Sequence, residues 1–167
     1  KIVSPMTPKE YKKIYENFLK DDNVYYVSEH RGSYSNTKEL PNIYHTNPDL
    51  VIFAISITRF AAKNVVKILK EKGMKISLVN VLWLKPLKIS SKDIQNLKNS
   101  KYGGLVLDDD YVSGVAKSIA NDLNLKSNKK INVMGLKDKT AGTGKNLDNL
   151  PPNEDEIIKF IKKICNK

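Results

Sequence analysis

A chain of 167 residues, 40% of them hydrophobic, is long enough to bury one core, or one domain and part of another. Its net charge of +11 comes from 29 basic and 18 acidic residues, but Arg31 and Arg59 are the only arginines; lysines scattered over every predicted helix read as solvated faces, which sets nucleic acid aside as a partner. No apolar run approaches the roughly 18 residues that span a bilayer, and no signal peptide is read at the start, so the expectation is a cytoplasmic chain with no membrane partner.

Thr7-Pro8-Lys9-Glu10 predicts a helix start, with Thr7 as cap, Pro8 at the first helical position and Glu10 closing a capping box. Tyr11, Ile14, Tyr15, Phe18 and Leu19 form its apolar stripe. A short strand from Val24 to Ser28 runs into Glu29-His30-Arg31-Gly32, and the polar, aperiodic stretch from Ser33 to Pro48 reads as a linker. Leu50 to Ile55 is continuously apolar, as expected of a strand covered on both faces. Ser56 or Thr58 is expected to cap the helix carrying Phe60, Ala61, Val65, Val66, Ile68 and Leu69, and Gly73 to end it.

Ile76 to Leu82 is a second buried strand, Trp83 to Leu87 an apolar loop, and Ser90 with Asp93 a short helix start. Leu105-Val106-Leu107 then meets Asp108-Asp109-Asp110-Tyr111, and Val115, Ala116, Ile119, Ala120 and Leu123 recur at helical spacing after a Ser-Gly turn. Ile131 to Met134 is a short strand and Gly135 to Asn149 a loop. Asn153 begins the last helix, which carries acids at its start and lysines at its end, as the helix dipole favours. The single cysteine, Cys165, sits on that helix. It excludes an internal disulfide, fits a reducing compartment and reads as apolar packing.

Strands alternating with helices imply parallel pairing and right-handed crossovers. The fold expected from about Thr46 to Lys167 is a three-layer α/β sandwich with a mostly parallel sheet. The first 45 residues supply too little for a core of their own and read as the remnant of a second α/β domain.

Three stretches invite a chemical reading. Asp108, Asp109 and Asp110 could supply oxygen ligands to a hard cation. Successive residues of a strand point to opposite faces, however, and strand-end capping is the simpler role. Thr140 to Asn146 has the glycines of a phosphate loop. But Lys139 stands where the first glycine belongs, and Asn146 replaces the hydroxyl that would hold magnesium. Glu29-His30-Arg31 places a histidine beside a carboxylate at a strand end, with no nucleophile readable nearby, so an interface or salt-bridge role is expected.

In order, these pieces are Glu29-His30-Arg31, the strand at Leu50, Leu84-Lys85-Pro86-Leu87, Asp108-Asp109-Asp110-Tyr111 with Ser113-Gly114-Val115-Ala116, and Leu150-Pro151-Pro152 before the last helix. The series resembles the C-terminal portion of thiamine-diphosphate enzymes of the transketolase group, most closely the beta subunit of 2-oxo-acid dehydrogenase decarboxylating components. Ser56 departs from the glycine often found after the first strand of those subunits, and Gly135 to Asn149 does not follow their pattern.

The resemblance implies residues 1–45 as the end of a pyrimidine-binding domain plus linker, and residues 46–167 as a transketolase C-terminal-like domain. It further implies an assembly and interface role without catalytic groups, in a parent enzyme that uses thiamine diphosphate and magnesium held upstream of Lys1 or on a partner chain. The partners implied are a second copy or an alpha-type subunit, and the lipoyl acyltransferase core in the dehydrogenases. Glu29, His30, Arg31, Asp108, Asp109, Asp110 and Tyr111 are then interface or strand-end residues. The competing expectation is a free-standing doubly wound module that binds an anionic ligand near Asp108 to Gly114.

Overall fold

The computed structural model describes residues 1–142 and 148–166. Its larger sheet has four parallel strands in the order β4-β3-β6-β7, formed by β3 (Leu50–Ile55), β4 (Ile76–Val81), β6 (Gly104–Tyr111) and β7 (Ile131–Leu136). Every residue of β3 is buried, as its unbroken apolar run requires, because helices cover both faces of the sheet. Leu50, Ile52 and Ala54 face α2 (Thr58–Glu71) and α5 (Glu154–Ile164). Val51, Phe53 and Ile55 face α3 (Ser91–Lys98) and α4 (Val115–Ser127). This is the expected three-layer α/β sandwich.

Local chemistry sets the helix ends. Gly73, at φ +77°, donates its N–H to Lys70 while Met74 donates to Leu69, the paired bonds of a Schellman terminator. Ser90 with Asp93 and Asn153 with Glu156 form complete capping boxes on α3 and α5. The buried residues of α4 are Ala116, Ile119, Ala120, Leu123 and Ser127, the first four of which follow the predicted stripe.

Other expectations are corrected. The first 45 residues hold two short strands, not one: β1 (Ile2–Val3) and β2 (Tyr26–Val27) pair in parallel, with α1 (Pro8–Phe18) crossing between them. The predicted apolar loop contains β5 (Trp83–Lys85), which pairs antiparallel with β1. The second sheet, β2-β1-β5, therefore joins the N-terminal unit to the C-terminal one. Val3, Ile14 and Trp83 form a small core between them. The stripe of α1 buries only Ile14, and the capping box at Thr7 does not form: the Thr7 side chain makes no cap bond, and the Glu10 carboxylate accepts the Met6 N–H at 2.9 Å together with Arg59.

The linker is not detached either. Ile43 exchanges backbone hydrogen bonds of 2.8 and 2.7 Å with Leu78 and so covers the outer edge of β4. Tyr44 donates a 2.7 Å bond to Asp93 at the start of α3, away from Tyr25, which packs edge-on against Phe18 and Trp83.

Candidate functional site

The carboxyl ends of β3 and β6 lie side by side, the place where open α/β sheets meet their ligands. Here β6 runs on through the aspartates to Tyr111, with a register shift against β7 between Leu107 and Tyr111. Gly135 of β7 permits the close approach: a Cβ at that position would sit 2.5 Å from the Asp110 carbonyl oxygen.

The three aspartates do different things. Asp108 is 2% exposed, its Oδ1 accepts a long 3.4 Å bond from the Asp110 N–H, and its Oδ2 has no partner. Burial first, and the adjacent Asp109 charge second, push its carboxyl up to about 7. Asp109 Oδ2 accepts a 2.7 Å bond from the Ser56 hydroxyl. Asp110 Oδ1 accepts the Tyr111 N–H at 2.7 Å on the surface.

Three side chains aimed at the interior, at β3 and back at the local backbone do not converge on a cation. Among the described residues no group of three or more His, Cys, Asp or Glu side chains could hold a metal. The acidic cluster therefore does not fit a magnesium-held diphosphate.

Ser56 occupies the left-handed region at φ +51°, costly for a residue with a Cβ and held here by the bond to Asp109. Neither Ser56 nor Thr58 caps α2 as the sequence suggests: the Thr58 hydroxyl donates to the Ile55 carbonyl at 2.6 Å, and Ile57 holds the cap position.

Glu29-His30-Arg31 forms a polar turn that leads into Gly32. His30 Nδ1 accepts the Gly32 N–H at 3.0 Å, the Ser33 hydroxyl donates to the His30 carbonyl at 2.7 Å, and the Tyr34 hydroxyl donates to Glu29 at 3.2 Å. The Glu29 bond also raises the Tyr34 pKa above its ordinary value. Gly32 lies against Ile57, so close that a Cβ there would be 2.8 Å from the Ile57 Cδ1. Gly32, which follows Glu29-His30-Arg31, and Asp109 thus reach neighbouring residues, Ile57 and Ser56. The loop read against the phosphate-binding pattern lies partly outside the described residues, from 143 to 147.

Sequence reasoning missed the strongest polar constellation. Arg59, fully buried on α2, grips Glu10 of α1 with two nitrogens at 2.9 and 2.6 Å and donates to Asn80 Oδ1 at 3.2 Å. Asn80 in turn holds the linker through the carbonyls of Leu40 and Pro41. The available signal was an arginine at the start of an apolar helical stripe in a chain whose one other arginine is Arg31.

The solved structures with this fold include a split-gene transketolase described as an inactive beta4 tetramer (TM-score 0.70, 15% identity, covering 99% of this chain and 57% of that one). A mutant transketolase from Pichia stipitis matches at TM-score 0.67 and 13% identity, over 99% of this chain and 25% of that one. The chain thus spans little more than half of one neighbour and a quarter of the other. No curated protein sequence matches it. The family model for the C-terminal domain of transketolase matches residues 42–156, more than half of the chain, and the chain belongs to the transketolase C-terminal domain family.

Proposed function

We propose that this chain is the C-terminal, assembly-forming part of a thiamine-diphosphate enzyme of the transketolase group and carries no catalytic groups of its own. Residues 1–45 are then the closing strand–helix–strand unit of a pyrimidine-binding domain plus its linker, and residues 46–167 the C-terminal domain. The motif order from Glu29-His30-Arg31 to Leu150-Pro151-Pro152 supports a parent of the 2-oxo-acid dehydrogenase beta type. A split transketolase-type parent is the second reading, favoured by the likeness to the split-gene tetramer.

The observation that carries the proposal is the unfinished state of the N-terminal sheet. Among the described residues β2 pairs with β1 alone, so its far edge is open. Ile2 and Tyr26, opposite each other in register, expose their side chains on the outer face, and Leu19 and Val24 nearby are 80% and 85% exposed. A three-stranded sheet with an open edge at β2 and an uncovered apolar face is completed by further strands, from preceding sequence or from a partner chain.

Calorimetric titration with thiamine diphosphate and magnesium tests the reading. No saturable heat is expected from this chain alone, whereas micromolar binding would overturn it and turn the Asp108–Asp110 cluster into an active-site feature.

A further inference from the structure

The two edges of the four-stranded sheet are treated differently. The outer edge of β4 is covered by Ile43, whereas β7, among the described residues, pairs with β6 alone. An uncovered edge presents unpaired N–H and C=O groups to any incoming strand. β7 contains no proline, and all six of its residues are half-buried.

Both faces beside this edge are hollow. On the α5 side a groove of about 910 Å³ runs along Met134, Gly135, Leu150, Pro151 and Phe160. On the α4 side a groove of about 680 Å³ runs along Ile131, Val133 and Ala120. Strand side chains alternate between faces, so a strand added to β7 would drop successive side chains into one groove and then the other.

The rims fix the charge of the occupant. Lys137, Lys159 and Lys163 border the first groove, Lys117 and Lys130 the second, and none of them is in an ion pair among the described residues. Two of the acids on these rims are engaged: Asp148 pairs with Lys139, and Glu156 accepts the Asn153 N–H. Among the described residues, Asp138 of the second rim is the one of these acids without a partner. Pairing of two β7 edges would set these lysines against one another in a chain that already carries +11.

We propose that the free edge of β7 accepts an extended segment of a partner protein in which apolar residues are flanked by acidic ones, extending the sheet by strand addition. This inference rests on the sheet edge with its two grooves and their lysine rims, and is independent of the parent enzyme.

Fluorescence polarisation on the full chain tests it with a labelled peptide, acetyl-Asp-Glu-Val-Leu-Val-Phe-Val-Glu-Asp-amide. Two controls accompany it: one with lysine in place of each acid, and one N-methylated at alternate residues so that it cannot donate to an edge. The acidic peptide is expected to bind with a Kd on the order of 100 µM or tighter, and at least about tenfold more tightly than either control. Lys159→Glu with Lys163→Glu, both exposed on α5, is expected to weaken binding by about tenfold or more with the melting temperature retained. Three results would overturn the proposal. They are absence of binding, equal binding of either control, and self-association of the chain that displaces the peptide, which would give the edge to a second copy.

Discussion

Asp108 is a carboxylic acid placed where its charge is hard to keep: 2% exposed, one oxygen unpaired, a second carboxylate next to it. Its folded pKa is raised from 3.8 to about 7, so between those values the folded chain retains a proton that the unfolded chain has released. The stabilising contribution is complete below the unfolded pKa and is lost as pH rises through about 7. Asp108→Asn, neutral throughout, removes that slope. Urea unfolding should find it more stable than the native chain at about pH 8, by on the order of 3 kcal/mol, and close to it at about pH 4. Equal slopes for the two proteins between those pH values would contradict the assignment.

Ser56 next to it separates strain from bonding. Ser56→Ala keeps the φ of +51° and loses the bond to Asp109, and should cost about 1 kcal/mol or more in the same assay. Ser56→Gly loses the same bond but relieves the backbone and should come out nearer to neutral.

Among the elements, α1 and α2 are fastened by one buried ion pair. Arg59 has no exposed surface, and the Glu10 side chain keeps 19% of its own. Glu10→Gln leaves a guanidinium in the interior without its counter-charge. It should destabilise by about 3 kcal/mol in urea unfolding, and Arg59→Met should cost a similar amount. The double variant Glu10→Gln with Arg59→Met should fall well short of the sum, because the two residues act as a pair. Additive losses would show that the pair does not couple the elements.

The same two helices show what the sequence makes legible. Gly73, the capping boxes at Ser90 and Asn153, and the buried run of β3 are local signals, and each appears where the pattern puts it. Arg59 finds its carboxylate 49 positions away, and β5 finds β1 some 80 positions away, and no window of neighbouring residues encodes either meeting. Glu10 satisfied the local capping-box pattern, yet its carboxylate reaches past Thr7 to the Met6 N–H and takes two charge-assisted bonds from the distant guanidinium. At the candidate site, the aspartates and Glu29-His30-Arg31 were legible as polar strand ends. That Gly32, just after the latter, packs on Ile57 while Asp109 holds Ser56 follows from the packing of the two units.

For the molecule as a whole, the two sheets are in different states of completion. The four-stranded sheet has helices on both faces, whereas β2-β1-β5 has an open edge at β2 and an outer face with Ile2 and Tyr26 exposed. We propose this small sheet as one part of a larger assembly. Sedimentation equilibrium of the chain against its Ile2→Lys, Tyr26→Lys variant tests that claim most directly. The native chain should associate reversibly above about 10 µM while the variant remains monomeric with an unchanged melting temperature. If both sediment as the same monomer across that range, the N-terminal sheet is complete as it stands and the assembly reading is contradicted.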